Sequence, residues 1–300
     1  MKNVLITGGN GFIGNHLKQY LSECNVIVLS RSNTGENYIC KDVKDIKEED
    51  LKNIDEIYHL ASTVDNYNIH SDPYLDINTN IIGTVALLEA CKNLKIKIVY
   101  VSTFFVHGNP KYFPASVNDK EEPLGTYGAT KLCAEHLCKV YSNVYNMDIK
   151  IARLSNVYGS GDQFKNNKKS AFVRMVYLAL TNQPIKLYDG GIIKRDYVHV
   201  FDVVSALKII MSSGTSNKTY YVGNGVGVDF KTLVNTIVKL FGGKVENINP
   251  PEFHKQVGID DFWCDIKDLL NIGWKPKIDL ETGLIETANY IKKEISNGKY

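Results

Sequence analysis

Tyr127 and Lys131 stand four residues apart in Tyr127-Gly128-Ala129-Thr130-Lys131, inside a stretch of helical periodicity. Residues at that spacing share one helix face, so a phenol and an amine can meet the same bound molecule. A free tyrosine ionises near pH 10, and an ammonium beside it favours phenolate and lowers that value. The pair can then pass a proton to or from a hydroxyl or a ketone. Thr103 ends the run Val99-Tyr100-Val101-Ser102-Thr103 and can donate a hydrogen bond to the same substrate oxygen. A strand-end threonine can equally be satisfied by backbone, and the tyrosine–lysine spacing is commonplace on surface helices. The elements that carry these residues therefore decide their meaning.

Those elements alternate. Val26–Ser30, Glu56–Leu60, Lys97–Ser102 and Asp148–Arg153 read as strands, with amphipathic stretches at Pro73–Leu94 and Gly128–Tyr145 between them. Such alternation predicts right-handed crossovers and a doubly covered parallel sheet, the α/β class. Beyond Tyr158 the pattern loosens into shorter pieces, with helical periodicity at Phe201–Met211, Thr232–Phe241 and Leu280–Glu294. The chain divides on this reading into residues 1–158 with parts of 185–225, and a smaller mixed lobe from 159–184 and 226–300.

The first strand, Val4-Leu5-Ile6, runs straight into Thr7-Gly8-Gly9-Asn10-Gly11-Phe12-Ile13-Gly14. Phe12, Ile13, Leu17, Tyr20 and Leu21 then repeat at helical spacing. Gly8, Gly11 and Gly14 allow a tight turn, close approach to a pyrophosphate and tight helix–strand packing. The helix start at Phe12 and Ile13 offers N–H donors to phosphate. This pattern predicts dinucleotide binding in residues 1–158.

A nicotinamide could exchange hydride while Tyr127 exchanges the proton, and Lys131 would hydrogen-bond its ribose. The second strand ends in Ser30-Arg31, where an acidic residue would hold an adenosine 2′-hydroxyl. A hydroxyl and a guanidinium suit a 2′-phosphate, placing NADP(H) ahead of NAD(H), unless Arg31 only meets solvent. Asp42, followed by Val43, could hold the adenine edge. Leu60-Ala61-Ser62 would form the wall beside pyrophosphate and ribose.

Bulk properties narrow the classes. The 300 residues are 44% hydrophobic with a net charge of +2, and no basic stripe supports nucleic-acid binding. No apolar run approaches the roughly 20 residues of a membrane span. The immediate entry into a strand leaves no room for a signal peptide. Six cysteines form no metal-type or redox pair, so no metal is expected and the expected location is cytoplasmic. The tract Lys165–Lys169 reads as a solvated loop or a lid.

Thr7–Gly14, His59–Ser62, Asn80–Thr84, Val99–Gly108, Tyr127–Lys131, Arg153–Gly159, Arg195–Val203 and Ile272–Pro276 together resemble the extended short-chain dehydrogenase/reductases of the nucleotide-sugar epimerase/dehydratase family. The resemblance covers nearly the whole chain. It implies a catalytic triad of Thr103, Tyr127 and Lys131, with Asn80 and Ser155 beside the cofactor. Asn156 and Arg195 would contact the substrate diphosphate, for which a guanidinium has the right geometry; otherwise Arg195 would pair with Asp196. Lys255 would be a second phosphate contact. His107 stands where the family usually has tyrosine, altering a wall of the substrate cleft.

The same resemblance bears on the reaction. Family 4,6-dehydratases carry an acidic pair after the threonine, whereas this chain has Phe104-Phe105, which argues against dehydration. Phe104 and Phe105 could border the sugar or be ordinary core. An NADP(H)-dependent reductase acting at carbon 4 of a nucleotide-linked deoxysugar, resembling the abequose/paratose synthase type and serving surface polysaccharides, is the first expectation. An NAD-dependent 4-epimerase is the second. A simple 4-dehydrogenase, a decarboxylase or a dinucleotide-sensing regulator without catalysis also stay open. Family members pair two helices with a mate, so apolar Ile81, Leu88, Leu132 and Val140 suggest a homodimer through a four-helix bundle.

Overall fold

In the computed structural model, residues 1–32, 35–63, 72–165, 170–252 and 258–298 are described. Most of the polar tract at 166–169, and Lys255, lie outside them. The chain begins β1 (Asn3–Thr7), α1 (Phe12–Tyr20), β2 (Asn25–Ser30), β3 (Tyr38–Cys40) and β4 (Glu56–His59). Helix α2 (Pro73–Asp76) passes through a wide π turn (Ile77–Ile82) into α3 (Gly83–Cys91). Next come β5 (Lys97–Thr103), α4 (Thr126–Tyr145), β6 (Asp148–Leu154) and β7 (Asn156–Tyr158). The remainder holds α5 (Ala171–Leu180), β8 (Pro184–Tyr188), β9 (Lys194–Arg195), β10 (Tyr197–His199), α6 (Val200–Ser213), β11 (Thr219–Val222), β12 (Val228–Asp229), α7 (Phe230–Phe241), β13 (Lys244–Ile248), α8 (Lys267–Asn271) and α9 (Leu280–Ser296).

Seven of these strands form one all-parallel sheet in the order β3-β2-β1-β4-β5-β6-β11. Strand order reverses beside β1, which opens a crevice at the strand C-termini, the usual ligand position in such sheets. Alternation along β1 sends Val4 and Ile6 to one face and Leu5 to the other. The first face packs Leu17 of α1 and Val203, Leu207 and Ile210 of α6; the second packs Leu87 and Leu88 of α3 and Ala134 and Cys138 of α4. Leu88, expected on an exposed face, is thus core, because both faces of a parallel sheet need covering. Ile81 and Leu132 are half-buried, and Val140 is exposed.

A separate core forms the lobe from Phe172, Val173 and Val176 of α5, Leu233 and Ile237 of α7, and Leu284 and Ile291 of α9. Strands β8 and β13 pair with each other on that side, while α6 and β11 belong to the large sheet. Among the described residues no helix is long and apolar enough to cross a membrane.

The ends of β1 and β4 are locked by a buried hydrogen-bond chain. The Ala61 N–H donates to Thr7 Oγ1 at 3.1 Å, and the Thr7 hydroxyl lies 2.6 Å from His59 Nδ1. His59 Nε2 lies 3.0 Å from Thr84 Oγ1, and the Thr84 hydroxyl donates to the Asn80 carbonyl at 2.6 Å. Since the Thr84 hydrogen is committed to that carbonyl, the network assigns the proton to Nε2 and leaves Nδ1 as the acceptor. Burial, and secondarily the Lys131 charge, push the His59 pKa down to about 3.

An unfolded histidine takes up its proton near pH 6.5, while the folded His59 resists until far lower. The unfolded state therefore binds more protons in that window, and stability falls as pH drops from 6.5 towards 3. Thermal unfolding across this range should show that decline, with His59 contributing up to about 1.4 kcal/mol per pH unit. His59→Gln should flatten the slope; an unaltered slope would contradict the neutral assignment.

Candidate active site

The crevice is built first from missing side chains. Gly8 has φ of 70°, and a Cβ there would sit 2.8 Å from the Ala61 nitrogen and 2.9 Å from the Leu60 carbonyl carbon. A Cβ on Gly14 would sit 2.5 Å from the Gly8 oxygen. These two positions let α1 and the end of β4 close on the turn. Gly11 caps α1 and donates its N–H to the Gly8 oxygen at 3.0 Å. Beyond that oxygen at 3.2 Å, a Cβ on Gly11 would meet nothing within 4 Å, so the space before the helix start at Phe12 and Ile13 is open. An open, glycine-lined helix N-terminus beside Leu60, Ala61 and Ser62 fits a dinucleotide pyrophosphate.

At the end of β2, the Asn10 amide donates to Ser30 Oγ at 3.0 Å, and Arg31 is exposed. Asp42 accepts from the Lys44 N–H at 3.2 Å and caps a short turn. Val43 is buried, and a Cβ on Gly83 would lie 2.5 Å from its Cγ1.

Thr103 at the end of β5 and Tyr127 in the first turn of α4 meet across the crevice. The Thr103 and Ser62 hydroxyls lie near the phenol and favour its ionised form. Thr103 Oγ1 accepts from the Phe105 N–H at 3.3 Å, so its backbone role and its place beside Tyr127 coexist. Lys131 is 1% exposed; its Nζ donates to the Val101 carbonyl at 2.7 Å and sits 4.2 Å from the centre of the Tyr100 ring.

Burial pushes the Lys131 pKa down to about 7, against the pull of Glu135. Burial also pushes Tyr127 up to about 12, against the two hydroxyls, with Asp76 adding to the rise. The expected lowering rests on an ammonium and an oxidised nicotinamide together. In the protein alone the amine is buried and turned to a carbonyl, and desolvation of the phenol sets the direction.

Asn80 is fully engaged. Its oxygen accepts from the Ser62 hydroxyl at 2.9 Å and the Thr63 N–H at 3.1 Å, and its amide donates to Thr63 Oγ1 at 2.9 Å and Thr130 Oγ1 at 3.0 Å. It braces the wall and the catalytic helix together. Phe104 lies in a core cluster, 4.5 Å from Phe262 between ring centres, whereas Phe105 presents an edge to Tyr127 at 6.0 Å. Of the two phenylalanines, Phe105 is the one beside the tyrosine.

On the far side, the Ser155 hydroxyl donates to the Asp196 carbonyl, and the Asn156 amide donates to the same oxygen at 3.3 Å. Arg195 donates to the carbonyls of Lys194, Ile259 and Asp260. Asp196 instead accepts from the backbone of Asn224, Gly225 and Cys264, so the alternative ion pair with Arg195 does not form.

His107 does not line a cleft. It is 1% exposed, with Nε2 2.8 Å from Arg153 Nη1 and Nδ1 3.3 Å from the Lys120 carbonyl. Arg153 is buried and also grips Glu135 at 2.7–3.1 Å and Glu121 at 2.8 Å. Arginine only donates, so the bond at Nε2 leaves the ring proton on Nδ1, facing the Lys120 carbonyl, and the imidazole is held from both sides. Arg153, Glu135 and Asp76 were absent from the expected site. An arginine inside the apolar run Ile149–Leu154 was the available signal for the first of them.

Comparison with known proteins agrees with this architecture. The chain is 32% identical to a putative UDP-glucose 4-epimerase of Methanocaldococcus jannaschii, over 96% of this chain and 98% of that one. A UDP-glucose 4-epimerase of Thermotoga maritima, solved with UDP-glucose, superposes with a TM-score of 0.88 at 26% identity, covering 98% and 99% of the two chains. A Bacillus cereus UDP-glucuronic acid 4-epimerase, solved with UDP-glucuronic acid and NAD, gives 0.87 at 26% identity over 97% and 99%. Residues 4–223 match a family described as NAD dependent epimerase/dehydratase, a span that takes in the glycine turn, Asn80, Thr103, Tyr127 and Lys131. This protein belongs to that NAD dependent epimerase/dehydratase family.

Proposed function

We propose that the protein is a nucleotide-sugar 4-epimerase acting on a UDP-linked hexose with NAD. The observation that carries this reading is the Tyr127 phenol set beside the Thr103 and Ser62 hydroxyls, next to the glycine cradle. Phe104 and Phe105, rather than carboxylates, follow the threonine. Such a site offers one proton-exchanging group for a hydroxyl-to-ketone conversion and its reverse. No carboxylate stands directly after the threonine to act as the second acid that elimination of water needs. The UDP-sugars and NAD named for its relatives support the substrate and cofactor class.

Gly8, Gly11, Gly14, Phe12 and Ile13 would hold the dinucleotide pyrophosphate, with Leu60, Ala61 and Ser62 along it and Asp42 and Val43 at the adenine. The bound dinucleotide supplies hydride acceptance and return. Tyr127 takes the proton from the sugar hydroxyl and gives it back. Thr103 orients that oxygen, and Lys131 holds the ribose and favours the phenolate when protonated. Ser155 and Asn156 would line the nicotinamide and substrate side.

Arg195 would bind the diphosphate. Among the described residues three hydrogen bonds occupy its guanidinium, whose five N–H groups leave two for phosphate oxygens. A reductase using NADPH is the second reading, favoured by the exposed Arg31 and the absence of a carboxylate at Ser30. A homodimer is proposed through exposed apolar residues on α2–α3 and α4, among them Tyr74, Ile82, Val140 and Val144.

Tyr127→Phe should lower turnover by roughly 10²- to 10⁴-fold while the dinucleotide stays bound; undiminished turnover would remove Tyr127 from the mechanism. Mass spectrometry of the purified protein should find NAD, with interconversion of C4 epimers and no net nicotinamide reduction. Recovery of NADP(H), with stoichiometric NADPH consumption on a 4-keto sugar nucleotide, would instead establish the reductase. In that case Arg31→Asp should move preference towards NADH. Light scattering at micromolar concentration should return twice the chain mass, and a monomer mass would count against the dimer.

A further inference from the structure

Asp76 closes α2 with no exposed surface. Its Oδ1 accepts from the Thr63 hydroxyl at 2.5 Å, and its Oδ2 accepts from the Thr126 hydroxyl at 3.0 Å. Thr63 extends the wall beyond Ser62 and is bonded twice to Asn80, through its N–H and its Oγ1. Thr126 is the first residue of α4 and the chain neighbour of Tyr127. One buried carboxylate thus joins the cofactor-side wall to the head of the catalytic helix.

We propose that Asp76 is a positioning residue for proton transfer at Tyr127: its bonds from the Thr63 and Thr126 hydroxyls fix the phenol's approach, and its charge opposes loss of the phenol proton. The inference rests on Tyr127 as the proton relay. An ionised tyrosine would place a second negative charge near this carboxylate in a poorly solvated site, where like charges interact strongly. Other groups among the described residues stand around Tyr127 as well. Lys131 lies one turn along the same helix and acts in the opposite sense when protonated. Tyr100 lies on β5, stacked under Lys131. His59 at the end of β4 is neutral and bonded on both ring nitrogens. Thr103 and Ser62 contribute hydroxyl dipoles only. Asp76 thus acts on the phenol against the Thr103 and Ser62 hydroxyls, and the Thr126 hydroxyl tempers it.

The test reads ionisation directly, apart from turnover. NAD-loaded protein carrying 13Cζ-labelled tyrosine is titrated by NMR, with the Tyr127 resonance identified by its loss in Tyr127→Phe. Asp76→Asn keeps the shape and removes the charge, and should raise the phenolate fraction at a given alkaline pH roughly three- to tenfold. Thr126→Val leaves the carboxylate less compensated and should lower that fraction, while Thr126→Ser should restore it. A purely structural aspartate would lower thermal stability in both variants without opposite displacements.

Should Asp76→Asn fail to fold, the Thr126 pair carries the test alone. An unmoved Tyr127 resonance in Asp76→Asn, or in Thr126→Val if only that folds, overturns the proposal. Turnover lost in Tyr127→Phe alongside that unmoved resonance would overturn the role of Asp76 alone. Full turnover in Tyr127→Phe would overturn the relay itself.

Discussion

The site depends on how closely the ends of β1 and β4 approach. Gly8 leaves no room for a side chain between them, and the Thr7–His59–Thr84 chain fixes their spacing from below. Neither device works alone. A side chain at Gly8 would push Leu60 and Ala61 away, and an unsatisfied His59 would be a costly buried polar group. From that junction the order spreads outwards. Asn80, whose carbonyl ends the chain, uses its side chain to hold Ser62, Thr63 and Thr130. The cofactor wall and the catalytic helix are thereby registered to the same strand ends.

Burial then shapes the chemistry. A phenol and an amine at the floor of a crevice each pay desolvation in their charged forms. Lys131 compensates with a carbonyl and the face of Tyr100, and Glu135 favours its charge from one turn further along α4. Glu135 is itself anchored by Arg153, so the lysine's surroundings reach into β6 and on to His107. That second buried network helps decide how the catalytic helix sits on the sheet.

Much of this was legible in the residues. Short β-branched runs, helical periodicity and the glycine turn carry local information, and the strands and helices they predicted agree to within a few residues at their ends. β3 and β11 escaped notice for local reasons too. The first is three residues long, and the second sits among glycines and asparagines that read as loop. The chemistry-bearing residues Thr103, Tyr127 and Lys131 stood out by spacing. Their electrostatics did not, because desolvation is a property of the packed site. Asp76, Arg153 and Glu135 find their partners far along the chain, and no periodicity announces such pairings. His107 was misplaced for the same reason: its motif fixes its position in the chain and not which way the ring turns.

The wide turn at Ile77–Ile82 has a consequence for how this segment can vary. The Gly83 N–H reaches back five residues to the Asn78 carbonyl, one more than an α-helix allows, so the turn holds a surplus residue within a continuous helix. That surplus sets the angular phase between Asp76 on one side and Thr84 on the other, both buried and both bonded. Losing a residue there would tighten the helix and swing everything before it by about 100°, carrying Asp76 off its hydroxyls. An exposed polar side chain such as that of Asn78 is free to drift. The tally of residues between the two anchors is not: the segment is tolerant in spelling and strict in length.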